Sequence, residues 1–400
     1  MNQKISYAKT VYGEEEIKAV VKCLEESTQM GNYTRKFESQ IARLFDKNHC
    51  LFVNSGSSAL YLGIESYNFP AGKEVITPVL TFSTTVGCLI KNNLIPVFID
   101  VEPLTYCIDA EQIENNINEN TVAILAPNLL GNICDWPKIR ALADKYNLII
   151  IEDSADTLGA KFKDGKSSGS FSDISITSFY GSHIINCAGN GGALAINDKK
   201  AMENAKLLRS WGRSSSLFDE RSEEIDKRFN INLDGIEYDA KFVFEKIGYN
   251  LEGSEIGAAF GLTQLKKLEN NILIRQKNFK RQCDFFEDFS DIFINPIENN
   301  DFETAWLAFP ILISEKAKFS RKEFQIYLEK NDIQTRVVFT GNILKQPIAK
   351  FIKEKRVTKE GYKNADIIME RGVLLPLHHG MTEEMFQKLH MVIKSFISNY

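Results

Sequence analysis

From about residue 51 the chain alternates short apolar runs with stretches whose apolar positions recur at helical spacing. The runs are Leu51-Phe52-Val53, Glu74-Val75-Ile76-Thr77, Ile95–Ile99, Val122–Leu125, Leu148–Ile151, Asp173–Thr177 and Gly192–Ile196. Strands buried on both faces read as near-continuous apolar runs. The spacing therefore predicts a mostly parallel seven-stranded sheet with helices on both faces. Helical periodicity also marks residues 14–26 and 36–46, the latter around Phe37, Ile41 and Leu44. Residues 199–212 read as helix, 213–240 as polar and irregular, and 254–269 as a helix rich in small residues. Beyond about 270, helices mix with the strand-like segments Trp306–Ile313 and Ile333–Val338. The expected class is α/β, with a large domain over 1–260 and a smaller C-terminal α/β domain over 261–400.

Composition narrows the functional classes. A chain of 400 residues exceeds what one hydrophobic core usually serves. With 44% hydrophobic residues, 25% charged residues and a net charge of −5, there is no electrostatic basis for a nucleic-acid partner. No apolar run approaches the roughly 20 residues of a membrane span, and the opening Met-Asn-Gln-Lys-Ile-Ser lacks the apolar core of a signal peptide. A cytoplasmic protein without a membrane partner is expected. The 7 cysteines include no CxxC pair and the 5 histidines are dispersed, so no metal site is expected.

Three segments can carry chemistry. Asn54-Ser55-Gly56-Ser57-Ser58 follows a strand-like run and opens a helix-like one. Free N–H groups and hydroxyls at such a helix start can cradle a phosphate, although strand–Gly/Ser–helix turns are also common without a ligand. Leu148–Ile151 leads into Glu152-Asp153. An acid at a buried strand end needs a hydrogen-bonding or cationic partner, or caps the next helix. Ser178-Phe179-Tyr180-Gly181-Ser182-His183, followed by Gly189-Asn190-Gly191-Gly192, places an imidazole among hydroxyls and glycines after another strand end.

Together with Phe82 in Thr81-Phe82-Ser83-Thr84-Thr85 and with Gly248-Tyr249-Asn250, these segments resemble the sugar aminotransferase family of fold-type-I pyridoxal-phosphate enzymes. The elements stand in the family's order over nearly the whole chain. The resemblance implies that Gly56, Ser57, Ser58 and Ser178 hold the cofactor's phosphate and that Phe82 stacks on its ring. It implies that Asp153 pairs with the ring nitrogen, with Asp156, where relatives usually carry Gln, beside it. Asn250 would reach the phosphate of the other subunit in a homodimer with shared sites.

Ordinary members carry Ser-Phe-x-x-x-Lys, whose lysine forms a Schiff base with the cofactor; at that spacing from Ser178 stands His183. Imidazole forms no stable Schiff base but moves protons near neutral pH. The swap resembles the nucleotide-sugar 3-dehydratases. So do Leu129-Leu130-Gly131-Asn132, Arg209-Ser210-Trp211-Gly212-Arg213, Lys227-Arg228-Phe229 and Thr335-Arg336-Val337-Val338-Phe339-Thr340-Gly341-Asn342. This subgroup implies loss of the C3 hydroxyl from a nucleotide-linked 4-keto-6-deoxyhexose, in deoxysugar synthesis for surface polysaccharide. His183 would act as base and then acid, with noncovalently held pyridoxamine phosphate and glutamate as amino donor. Thr28, Gln29, Trp211, Arg213 and Arg336 are the candidate substrate contacts. The CDP-sugar relative carries iron–sulfur cysteines between its Trp-Gly-Arg and Lys-Arg-Phe segments. Residues 214–226 contain no cysteine, so no such cluster is expected. The competing expectations are amino transfer through another lysine, for which Lys199 and Lys200 lie too far along the chain, and a non-catalytic homologue that binds sugar or cofactor.

Overall fold

The computed structural model describes residues 4–218, 228–229, 231–297 and 302–400. The stretch 219–226 on which the iron–sulfur expectation partly rests, and Lys227, lie outside them. Two amphipathic helices, α1 (Glu14–Glu26) and α2 (Asn32–Leu44), precede the first strand. The sheet is built from β1 (His49–Val53), β2 (Glu74–Pro78), β3 (Ile95–Ile99), β4 (Thr121–Pro127), β5 (Ile149–Asp153), β7 (Ile174–Ser178) and β8 (Gly192–Ile196). The two-residue β6 (Lys161–Phe162) pairs elsewhere.

The seven predicted runs all form strands, in the order β1-β8-β7-β5-β4-β2-β3, and an eighth short strand, Arg356–Val357, adds in parallel to β3. Only β8 runs against its neighbours. Helices cover both faces, with α3 (Gly56–Ser66) and α4 (Lys199–Arg209) packed on the cluster around Leu51, Leu62, Ile151 and Leu194. The outer edge of β1 would expose unpaired backbone groups. A Glu38–Arg209 ion pair (2.7 Å) covers it: Phe52 N–H donates to Glu38 at 2.8 Å, and Arg209 donates to the Phe52 carbonyl at 3.1 Å.

The helix Glu255–Leu265 spans the boundary expected at 260/261. Beyond it lies a four-stranded antiparallel sheet ordered Phe293–Ile294, Phe309–Ile313, Gly372–Leu375, Arg336–Val337. Ile5 bridges to Ile333 and is buried in the cluster beneath this sheet, so the start of the chain straps the C-terminal layer. Among the described residues no helix is long and apolar enough to cross a membrane, and no cluster of side chains could hold a metal ion.

Candidate active site

The carboxyl ends of β1, β4, β5 and β7, with the loop after β2, converge on a cavity of about 320 Å³. Ligands of open α/β sheets sit at this end of the strands. Its floor is the start of α3. Ser55 is the N-cap, its hydroxyl accepting from the Ser58 N–H, and Gly56 and Ser57 follow with free backbone donors. Two glycines make the turn fit. A Cβ on Gly56 would lie 2.6 Å from the Ser178 Cβ, and one on Gly192 would lie 2.3 Å from the Ser55 carbonyl. Ser57 Oγ donates to Thr84 at 3.3 Å, so Ser55, Ser57, Thr84 and Ser178 bring hydroxyls to one end of the cavity. Gly56→Ala forces the β7 end away from this floor. We expect cofactor affinity to fall roughly 5- to 150-fold, from an overpacking cost of roughly 1–3 kcal/mol, as read by equilibrium dialysis; unchanged affinity would remove the phosphate role of the turn.

Two acids face the same space. Asp153 accepts from the Ala155 N–H at 3.1 Å and Asp156 from the Leu130 N–H at 2.9 Å, the latter offered by a turn with Leu130 at φ 62°. Burial raises the Asp153 pKa to about 6, and burial together with the Asp153 charge raises that of Asp156 to about 7. Among the described residues no lysine or arginine lines the cavity, so none of them gives either acid a cationic partner there. Asp156, at 3.8 when unfolded and about 7 when folded, binds more protons in the folded state between those values. Its contribution to stability therefore falls as pH rises through that window. We expect Asp156→Asn to stabilise the cofactor-free protein by about 2–4 kcal/mol at pH 8 and hardly at pH 4, measured by urea denaturation. Equal effects at both pH values would contradict the buried-carboxylate account.

His183 lines the cavity beside Tyr180, the two rings 6.1 Å apart. Its Nδ1 lies 3.1 Å from the Ser178 carbonyl oxygen. A carbonyl only accepts, so Nδ1 carries the proton and Nε2 keeps the lone pair. Burial holds the imidazole neutral, lowering its pKa to about 4 against the opposing Ser178 carbonyl. The Thr10 hydroxyl donates to the Gly181 carbonyl and fastens this loop to the N-terminal segment.

Of the residues expected at the site, Gly56, Ser57, Phe82, Asp153, Asp156, Ser178 and His183 are brought together around the cavity. Ser58 is not: its hydroxyl turns back to Asn54 Oδ1 at 2.6 Å, and Ser55 takes its place. Thr28 and Gln29 are exposed outside it. Trp211 and Arg213 line a separate groove of about 640 Å³ beside β1, with the guanidinium 4.5 Å from the indole centre. Arg336 is exposed beside the helix Arg321–Lys330, and Asn250 bridges to Ser210 outside its own chain's cavity. His378-His379 lies behind the site against buried Arg275, which donates to His379 Nδ1 at 3.2 Å and to the carbonyls of Trp306, Leu307 and Leu377. Sequence reasoning missed Asn128, Tyr180, Asn190 and Phe339 as lining residues. A signal existed for Tyr180 and Asn190, which flank the quoted His183 and glycine motifs.

A pyridoxal phosphate fits these residues. The hydroxyls and free N–H groups at the start of α3 suit a phosphate, Asp153 without a cation suits a protonated ring nitrogen, and Phe82, 52% exposed, offers a ring face. The model of the DegT/DnrJ/EryC1/StrS aminotransferase family matches residues 11–394. The lipopolysaccharide biosynthesis protein RfbH of Salmonella typhimurium is 33% identical over 94% of this chain and 87% of its own length. The dTDP-4-dehydro-2,6-dideoxy-D-glucose 3-dehydratase of Saccharopolyspora spinosa is 30% identical over 96% of this chain and 84% of its own. The structure of E coli GDP-4-keto-6-deoxy-D-mannose-3-dehydratase with bound hydrated PLP superposes with a TM-score of 0.86 at 27% identity, covering 98% of this chain and 100% of that one. The chain belongs to the DegT/DnrJ/EryC1/StrS aminotransferase family, whose cofactor is pyridoxal 5′-phosphate.

Proposed function

We propose that the protein removes the C3 hydroxyl of a nucleotide-linked 4-keto-6-deoxyhexose, in deoxysugar synthesis for surface polysaccharide. The observation that carries this reading is the imidazole of His183 at the cavity wall where the family's Schiff-base lysine belongs, with no lysine among the described residues that line the cavity. When bound, pyridoxamine phosphate supplies an amino group to the ketone and an electron sink. Ser57, Ser178 and the start of α3 would hold its phosphate, Phe82 would cover its ring, and Asp153 would keep the ring nitrogen protonated. His183 Nε2 would serve as the base that receives the proton released in that chemistry. The imidazolium so formed has a low pKa, which makes it a strong acid for the departing C3 oxygen.

A homodimer accompanies this reading. Ile236, Phe242, Phe244 and Ile247 (96% exposed) leave an apolar patch just before Asn250, which a second copy would cover while carrying Asn250 to the other cavity. Light scattering should give twice the 45.4 kDa chain mass.

The deciding experiment incubates the protein with pyridoxal phosphate, glutamate and 4-keto-6-deoxyhexoses linked to GDP, CDP or dTDP, followed by mass spectrometry. Loss of the C3 oxygen with ammonia release is expected. Nitrogen retained in the final sugar would replace dehydration by amino transfer, and no change in any sugar would favour a non-catalytic role.

A further inference from the structure

Among the described residues, Phe339 is the one cavity-lining residue contributed from beyond residue 190. Its backbone sits at φ 42°, in the left-handed region that disfavours a bulky side chain. The turn around it is stitched to the loop that carries Phe82. Thr340 Oγ1 donates to the Thr81 carbonyl at 2.7 Å, Gln346 Nε2 donates to the Thr340 carbonyl at 2.8 Å, and Leu80 bridges to Asn342. Gly341, at φ 61°, lies so close to Met369 that a Cβ there would come within 2.4 Å of its side chain. These contacts deliver the Phe339 ring edge-to-face onto Phe82, with centroids 6.2 Å apart at 83°.

The ring is half-buried: one side packs against the apolar cluster of Val79, Leu130 and Ile368, and the other faces the cavity. On its cavity side it forms an apolar corner with Phe82, while the remaining walls mix acids, hydroxyls and an imidazole with Leu60, Leu129 and Ile176. A methyl group gains from leaving water in such a corner, and a hydroxyl there finds no partner.

We propose that Phe339, together with Phe82, is the specificity element for a 6-deoxy sugar: the corner receives the C6 methyl group and disfavours a 6-hydroxymethyl. The inference rests on the nucleotide-sugar reading above and deepens it. An apolar pocket rejects an added hydroxyl by no more than about 100-fold, so a preference of roughly 10- to 100-fold is expected.

The test is calorimetric binding to cofactor-loaded protein of a nucleotide-linked 6-deoxyhexose and of the corresponding hexose, carrying whichever of GDP, CDP or dTDP serves in the reaction above. Phe339→Asn tolerates the left-handed backbone and places an amide in the corner. It should bring the preference below about threefold, while Phe339→Leu, still apolar, keeps it. Equal binding of both sugars by the native protein, or an Asn variant that binds both and keeps the native preference, overturns the specificity role. Failure of the native protein to bind either sugar overturns the nucleotide-sugar reading itself, and this inference with it.

Discussion

Lysine in place of His183 is expected to abolish dehydration and at the same time to bond the protein covalently to its cofactor. The Ser178 carbonyl, 3.1 Å from Nδ1, fixes the tautomer, so the basic nitrogen is Nε2. With a pKa near 4 the ring is neutral at pH 7 and free to accept a proton. Once charged, it gives that proton up readily to a leaving oxygen. A lysine amine at the same place would be tied up by the cofactor and could not shuttle a proton in the same way. Positioned acid–base catalysis contributes about 10²- to 10⁴-fold, so the rate of C3-oxygen loss should fall by at least that range. Borohydride treatment should add the cofactor's mass to the His183→Lys chain but not to the native chain or to His183→Asn, which loses the rate alone. Dehydration at the native rate in either variant would mean that His183 is not the acid–base group.

Much of this site was legible because its parts sit at strand ends. Strands buried on both faces leave uninterrupted apolar runs, and three of the runs lead into residues that reach the cavity: Ser55 and Gly56 after β1, Asp153 at the end of β5, Ser178 at the end of β7. What local pattern could not resolve was side-chain direction. Ser57 and Ser58 look alike in sequence, yet only one faces the cavity, because Ser55 caps the helix and draws Ser58 toward Asn54. The Arg356–Val357 strand is too short to show a period and is recruited by pairing with β3 and by the contact of Arg356 with Glu74. Phe339 enters from a distant turn held by tertiary hydrogen bonds, which no local periodicity reports. Trp211, Arg213, Arg336 and Asn250 lie outside the cavity of their own chain. Any part they play in substrate or cofactor binding must come from the outer groove or from a second copy.

Asp153→Asn is expected to move two quantities in opposite directions. In the cofactor-free protein the Asp153 carboxyl is buried, faces Asp156 and has no cation beside it among the described residues. Its pKa of about 6, against 3.8 unfolded, means that ionising it near pH 8 costs folding free energy. Asparagine keeps the shape and removes that charge, so the empty protein should resist urea better at pH 8. In the loaded protein the same carboxylate meets a protonated ring nitrogen, and removing one partner of a buried charge pair costs about 2–5 kcal/mol, or roughly 30- to 4000-fold in affinity. Cofactor affinity should fall by that range in equilibrium dialysis, and turnover with it, since a neutral amide does not keep the ring nitrogen protonated. A residue that merely supported the fold would lose stability and affinity together. Opposite signs are the mark of a group whose charge is unfavourable in the empty cavity and is compensated only by the ligand, in line with the trade between stability and function at active sites. A destabilised empty protein that still binds the cofactor at native affinity would refute the pairing.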